Sequence, residues 1–135
     1  MINKLVRKQI EGSLRKCLSK LDIYEGASDK VAVDNDGDKL LIRYKKGNYV
    51  GLLGTTHFAL EIENKTCYLL AIGREEKFSG RGIGRQMYNI IEGFCKDIGV
   101  QRIQLAFSGD EREEYWKSLG FRNIEGYFQM EKALD

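Results

Sequence analysis

The sequence predicts one α/β domain built on a mixed β-sheet. Three successive patterns support this class: a helical hydrophobic period, then strand alternation with tight turns, then a strand, a glycine-rich loop and a second helical period. The chain has 135 residues, of which 42% are hydrophobic and 31% charged, so it can bury a core and remain polar outside. We therefore expect a single domain over residues 1–135, with no run of residues apolar enough to cross a membrane.

The first predicted element is an amphipathic helix over residues 2–21. Its apolar stripe consists of Leu5, Val6, Ile10, Leu14, Cys17, Leu18 and Leu21. Its polar side is dominated by Lys4, Arg7, Lys8, Arg15, Lys16 and Lys20. A solvated helix face explains this pattern. The alternative is a surface that binds an acidic or nucleic-acid acceptor. Because the net charge is only +2, we do not expect nucleic acid as a partner.

An antiparallel meander follows the helix. Strands are predicted over residues 30–34, 39–45, 49–53, 57–63 and 67–73, separated by turns such as Asp36-Gly37. Short connections of this kind join antiparallel neighbours. Residues 67–73 are apolar almost throughout, which predicts a central strand covered on both faces.

A glycine-rich stretch, FSGRGIGRQ at residues 78–86, joins that strand to a second helical pattern. The start of a helix presents unpaired N–H groups and the positive end of the helix dipole. The three glycines permit close approach of a ligand, and the two arginines add positive charge; these residues are Gly80, Gly82, Gly84, Arg81 and Arg85. The stretch predicts a cradle for phosphate or pyrophosphate. A helix cap without a ligand is the alternative.

The last third of the chain continues the alternation of strands and helices. Gly99 is expected to end the second helix, and a strand over residues 100–107 to lie parallel to residues 67–73 after the helical crossover. The pair Ser108 and Glu111 forms a capping-box pattern for a third helix that ends at Gly120. Closing antiparallel strands are predicted over residues 121–124 and 127–133.

Two motifs resemble those of the GNAT superfamily of N-acetyltransferases. Residues 79–84, SGRGIG, resemble its acetyl-CoA-binding motif Q/R-x-x-G-x-G/A, with Ser79 at the position of the usual Gln or Arg. Residues 116–121, WKSLGF, resemble the Tyr-x-x-Leu-Gly-Phe segment of the family's fourth helix, with Trp116 at the position of Tyr. Residues 128–134 resemble its closing strand. The likeness covers residues 67–134.

The resemblance implies an acetyl-CoA-dependent N-acetyltransferase that needs no metal. Such enzymes transfer the acetyl group directly to an amine of a small molecule, peptide or protein. The coenzyme lies where the fourth and fifth strands separate, and the N–H of Ile72 is the implied donor to the oxyanion. The implied coenzyme contacts are Ala71, Ile72, Gly73, Ser79, Gly80, Arg81, Gly82, Ile83, Gly84, Arg85, Asp110 and Trp116.

Candidates for proton transfer are less clearly marked. The family's frequent acid is the Tyr that Trp116 replaces, so Tyr115 becomes the candidate, although one residue turns a side chain by about 100° around a helix. Glu61 and Glu63 are the candidate bases, because they share one face of a strand next to the predicted site. Both also fit the pattern of solvated strand residues. His57, the only histidine, is a further possible base, but a lone histidine in a strand is more often a surface or satisfied core residue.

Two further functions remain open. The replacement of Tyr by Trp116 and of Gln or Arg by Ser79 suits an inactive GNAT-fold module that binds acyl-CoA or a partner. The basic first helix suits a transferase acting on charged tRNA. Three separated cysteines without a C-x-x-C pair indicate reduced thiols and a cytoplasmic location, and His and Cys do not cluster as metal ligands. The family also suggests a possible homodimer.

Overall fold

The computed structural model describes residues 3–47, 54–106, 110–124 and 129–134, without the side chains of Asp110 and Glu111. In chain order its elements are α1 (Lys4–Leu18), β1 (Asp29–Asp36), β2 (Lys39–Lys46), β3 (His57–Glu63), β4 (Thr66–Gly73), a 3₁₀ turn (Glu76–Phe78), α2 (Ile83–Asp97), β5 (Arg102–Ala106), α3 (Asp110–Ser118), β6 (Arg122–Asn123) and β7 (Gln129–Ala133).

The described strands form a mixed sheet in the order β1-β2-β3-β4-β5-β7-β6. β4 and β5 are parallel and are joined through α2, whereas every other neighbouring pair is antiparallel. Antiparallel neighbours need only tight turns, but the parallel pair needs the helical crossover. The predicted mixed α/β sheet is confirmed.

The helices α1 and α2 cover one face of this sheet. The Asn3 side chain accepts a hydrogen bond from the Val6 N–H at 2.9 Å and so caps α1, whose Leu14 and Leu18 are fully buried. The helix ends at Leu18, earlier than residue 21, because the Leu21 N–H bonds the Leu18 carbonyl in a tighter turn. The shared core of helices and sheet includes Tyr44, Phe58, Met87, Phe94, Ile103 and Met130.

The expectation that β4 is covered on both faces is wrong. Cys67 and Leu69 are buried beneath α2, but Tyr68 and Leu70 are 37% and 59% exposed. The strand also contains an irregularity: Leu60 pairs with Leu69 while Ala59 pairs with Ala71, so Leu70 is an extra residue. A bulge of this kind bends the strand and breaks its ladder. The predicted strand at residues 49–53 lies outside the described residues.

Candidate active site

The parallel strands β4 and β5 form a fork. Thr66–Leu69 of β4 pair with Arg102–Leu105 of β5, and the pairing ends there. Beyond this point β4 continues to Gly73, whereas β5 ends at Ala106. Among the described residues, the β5 side of residues 70–73 therefore has no strand partner, and its backbone polar groups remain available to a ligand. A cavity of about 360 Å³ occupies the fork; it is lined by Leu69, Leu70, Ala71, Ile72, Leu105, Ala106, Arg112 and Trp116.

A second cavity, of about 340 Å³, adjoins the first and reaches the start of α2. The two share Ile72, Arg112 and Trp116, and the second is completed by Gly73, Arg74, Gly84, Met87 and Tyr115. We call the two cavities together the fork groove. The groove connects the free edge of β4 with the glycine-rich loop that the sequence marks as a phosphate cradle.

The glycine-rich loop leaves the N-terminus of α2 open. Gly82 is the residue before the helix, has φ of 71° and makes no side-chain capping bond. Gly80 has φ of 78°, a conformation that L side chains rarely adopt. The N–H groups of Ile83, Gly84 and Arg85 belong to the first turn, which has no intrahelical acceptors. Because the residues from Ser79 to Gly82 are exposed, their side chains do not close the cradle.

Gly84 is a glycine that packing does not require. It lies in the first turn of α2 with ordinary helical backbone, and a Cβ atom built there would meet no other atom within 4 Å. A glycine inside a helix costs about 1 kcal/mol relative to alanine, so its use here needs another reason. Since Gly84 lines the fork groove, the space beside it is available to a ligand.

The groove carries positive charge. Arg74 and Arg112 line it, and none of the described lining residues is acidic. Arg81 instead turns toward the segment after α1: its guanidinium lies 2.9 Å from the Asp22 carboxylate and stacks over the Phe78 ring at 5.6 Å. A groove lined by two arginines that form no ion pair with the described residues, next to an uncapped helix start, suits an anion such as a diphosphate.

Sequence reasoning missed Arg74, Met87 and Arg112 as lining residues. A usable signal existed for Arg112, which precedes Trp116 by four residues and therefore shares its side of α3. Arg74 directly follows the apolar strand but belongs to no motif. The predicted contact Asp110 has a side chain outside the described residues.

Tyr115 and Trp116 both border the second cavity, although they point differently. Trp116 is only 6% exposed and packs edge-on against Tyr88 and Phe121, with ring centroids 5.9 and 5.4 Å apart. Tyr115 is 41% exposed and contacts the Trp116 ring at 5.1 Å. The buried indole therefore forms a wall of the groove, while the phenol lies at its mouth.

The structure does not bring Glu61 or Glu63 to the groove. They pair with Tyr68 and Thr66 at the beginning of β4, whereas the groove is formed at its end, where Ile72 pairs with Phe58. Three residues of strand separate Phe58 from Glu61, which is about 10 Å. Glu61 also forms an ion pair with Lys39 at 3.5 Å. The alternation that put both carboxylates on one face gave no information on their position along the strand.

His57 is closer to the groove than either carboxylate. It pairs with Gly73, and a Cβ atom built on Gly73 would lie 2.8 Å from the imidazole Cε1, so the ring covers that glycine. The imidazole Nδ1 lies 3.0 Å from the carbonyl oxygen and 3.2 Å from the hydroxyl of Thr55. These contacts hold the ring beside the end of β4. Its strand pairing with Gly73 was not visible in the sequence.

Within the described part of the chain, no group of three or more His, Cys, Asp or Glu side chains is arranged to hold a metal ion. No helix among the same residues is long and apolar enough to cross a membrane.

The family model described as Acetyltransferase (GNAT) family matches residues 7–121. The chain belongs to the GNAT acetyltransferase family. Members of this family use acetyl-CoA, so the fork groove lies in an acyltransferase domain. The search of curated proteins found no match.

Solved structures support the GNAT fold along the whole chain. An acetyltransferase from Bacillus cereus ATCC 14579 is 17% identical, with 99% of this chain and 95% of that chain covered and a TM-score of 0.57. The ribosomal-protein-S18-alanine N-acetyltransferase from Escherichia coli is 10% identical, with 99% and 91% covered and a TM-score of 0.55.

A third solved structure was determined with coenzyme A. The PaiA N-acetyltransferase from Thermoplasma acidophilum is 18% identical and has a TM-score of 0.52; 71% of this chain is covered, but the match spans only 61% of that chain. At these identities the three structures show the likeness of fold.

Proposed function

We propose that this GNAT domain transfers an acetyl group from acetyl-CoA directly to an amine of a small molecule, peptide or protein. The observation that carries the proposal is the fork groove, whose two cavities share lining residues and extend from the free edge of β4 to the uncapped start of α2. A protein amine is included because one similar structure is named for an alanine of a ribosomal protein. A cytoplasmic location is also proposed, since Cys17, Cys67 and Cys95 are free thiols.

In this proposal the coenzyme lies along the groove. Its diphosphate accepts hydrogen bonds from the amides of Ile83, Gly84 and Arg85, with Arg74 and Arg112 adding charge. Its pantetheine arm pairs with the unpartnered edge of residues 70–73. Ser79 and Arg81 remain candidate contacts from the loop, although Arg81 must exchange its ion pair with Asp22 to reach a phosphate.

The proposed chemistry is one direct acyl transfer. The acceptor ammonium first loses a proton, and the free amine then attacks the thioester carbonyl carbon to form a tetrahedral oxyanion. An N–H of Ile72 on the free edge of β4 is the proposed oxyanion donor. Collapse of the oxyanion breaks the C–S bond, and the departing thiolate takes a proton from the Tyr115 hydroxyl. The acylated nitrogen then loses its extra proton to the Tyr115 phenolate through water, which gives the neutral amide and restores the tyrosine. His57, through a bridging water, is the proposed base because it lies beside Gly73.

Replacement of Gly84 with leucine tests the position of the coenzyme. We expect Gly84→Leu to reduce acetyl-CoA affinity at least a hundredfold in calorimetry, because the new side chain fills the groove beside the helix amides. The fold should persist, since nothing in the protein lies within 4 Å of the new Cβ. Gly93→Leu is the matched control: Gly93 lies in the same helix with equal free space but lines a different cavity.

Different outcomes separate binding from catalysis. If both leucine variants bind acetyl-CoA as the wild type does, the coenzyme does not use this groove. If the wild type binds acetyl-CoA but releases no free CoA thiol with any of a panel of amines, peptides and protein N-termini, the domain is a binding module and the transferase proposal fails.

A further inference from the structure

A regular row of lysines crosses the solvent face of α1. Lys4, Lys8 and Lys16 are spaced by four residues or a multiple of four, and Lys20 continues the spacing in the turn after the helix. The missing position of the series is Gly12. All five residues are exposed. We call the four lysines the lysine row; successive positions in the series rise by about 6 Å along the helix axis.

The row winds across the exposed side of α1. At about 100° per residue, its middle positions lie roughly opposite the side that buries Leu14, Cys17 and Leu18, and Lys4 lies at the flank. Because the buried side of α1 packs in the core, the orientation of the helix is fixed and the lysines remain exposed. The lysine row is thus a permanent feature of the surface.

The lysines have no ion-pair partners among the described residues, although acids lie close by. Glu11 pairs with Arg15 at 3.4 Å, and Asp22 pairs with Arg81 at 2.9 Å. Like charges four residues apart on a helix repel one another and destabilise it. An uncompensated row of this kind suits an external anion that extends along the helix.

Gly12 is the second observation, and it is independent of charge. It lies in the middle of a helix of 15 residues, where glycine is unfavourable relative to alanine. A Cβ atom at this position would meet nothing within 4 Å, so no contact inside the protein requires glycine. A glycine here lets a partner's backbone approach the helix closely between two pairs of lysines.

We propose that the lysine row binds the phosphodiester backbone of a nucleic acid, with Gly12 at the point of closest approach. Lysine binds phosphate as a point charge, and a regular row of lysines follows a repeating backbone without reading its bases. The proposal is independent of acetyl transfer. It differs from the expectation that nucleic acid is not a partner, because the net charge of +2 for the whole chain does not show the local excess of positive charge on α1.

Two other anionic partners fit the structure less well. A helix that lies on a membrane inserts its apolar side, but the apolar side of α1 is packed against the core and only Leu5 is strongly exposed. An acidic protein segment would normally add apolar anchors in pockets, and the cavity of about 300 Å³ near the row touches only its last member, Lys20.

The test is fluorescence anisotropy with a labelled single-stranded RNA of twenty nucleotides, titrated with the full chain at several salt concentrations. If all four lysines contact phosphate, the slope of log K against log salt should be about −3. The variant Lys8→Gln/Lys16→Gln should lower affinity about tenfold and reduce the slope by about half. Lys30→Gln/Lys65→Gln removes the same charge from exposed positions elsewhere and should bind as the wild type does.

Gly12→Leu supplies a second measurement that does not change charge. It should weaken RNA binding at least fivefold while the thermal midpoint stays the same or rises, because the side chain enters open space. Identical titrations with single-stranded DNA and duplex RNA identify which nucleic acid is preferred.

Three results would overturn the proposal: no salt-dependent binding to any of these probes, equal losses in the two double-lysine variants, or equally tight binding to polyglutamate or anionic vesicles. Acetyl-CoA binding, measured in parallel, should be unchanged in every lysine variant, so that failure of this proposal is distinguishable from failure of the proposed acetyl transfer.

Discussion

Tyr115 is a partly exposed tyrosine that borders the fork groove, and its substitution tests the proposed acid directly. We predict that Tyr115→Phe lowers kcat at least tenfold and leaves the acetyl-CoA Kd unchanged, because only the proton donor is removed. Tyr68→Phe is the matched control, since Tyr68 is similarly exposed but lines neither cavity. If His57 is the base, His57→Gln should likewise lower kcat and leave the acetyl-CoA Kd unchanged.

Equal turnover of Tyr115→Phe and the wild type would assign the tyrosine to packing against Trp116. The thiolate would then leave without a protein acid, which is reasonable for a thiol in contact with water. Loss of coenzyme binding in the same variant would make Tyr115 a binding residue.

The stability of the helix α3 depends mainly on one large buried side chain, that of Trp116. Its nine residues, DEREEYWKS, are nearly all polar, so the isolated segment has little reason to fold as a helix. Trp116 supplies the burial, through edge-on contacts with Tyr88 of α2 and Phe121 beyond the helix. The same ring forms a wall of the groove, which links the stability of α3 to the shape of the site.

We predict that Trp116→Ala lowers the free energy of unfolding by about 3 kcal/mol, since it leaves a cavity between Tyr88 and Phe121. Trp116→Phe should cost less than half as much, because an aromatic ring remains. Urea unfolding followed by circular dichroism measures both values. A loss below about 1 kcal/mol for the alanine variant would mean that α3 is held by other contacts.

A polar cluster around the buried side chains of Lys46 and Asp29 joins the segment after α1 to β1 and β2. The Lys46 ammonium lies 2.8 Å from Glu25, 3.5 Å from Asp29 and 2.6 Å from the carbonyl oxygen of Ile23. The Tyr44 hydroxyl donates to the Asp29 carboxylate. Because Asp22 in the same segment contacts Arg81 and Gln86, this cluster also positions the edge of the glycine-rich loop.

This cluster predicts loss of stability in acid. Burial alone would raise the pKa of Asp29, but hydrogen bonds from Tyr44 and from the Glu25 and Gly26 amides, with the Lys46 charge, bring it below the ordinary value of 3.8. A carboxyl whose pKa is lowered by folding stabilises the protein above the unfolded pKa, and that contribution is lost as pH falls through the folded pKa. We expect the free energy of unfolding to fall below about pH 4.

Urea titrations between pH 2.5 and 6 check this expectation, and Asp29→Asn should make the acid slope shallower. At neutral pH the same variant should cost about 3 kcal/mol, because Lys46 stays buried with part of its compensation removed. Asp34→Asn is the control, since its pair with Arg43 is exposed and should contribute less than about 0.5 kcal/mol. An unchanged acid slope in Asp29→Asn would contradict this role for Asp29.

The sequence alone predicts the class of fold, the order of the described elements and the glycine-rich loop at the start of α2. These depend on local physics: hydrophobic period selects helix or strand, and Gly80 and Gly82 mark a turn that needs positive φ. The β3 strand and most boundaries of the other described elements follow within a few residues for the same reason.

Contacts between distant segments of the chain determine which side chains meet at the groove. Strand register is set by pairing between distant segments, so it alone placed His57 beside Gly73 and put Glu61 and Glu63 at the far end of the strand. The extra residue Leu70, the end of β5 at Ala106 and the approach of Arg112 to the fork likewise depend on neighbours remote in the chain. Periodicity assigns a residue to a face, but contacts across the sheet fix its position along the strand.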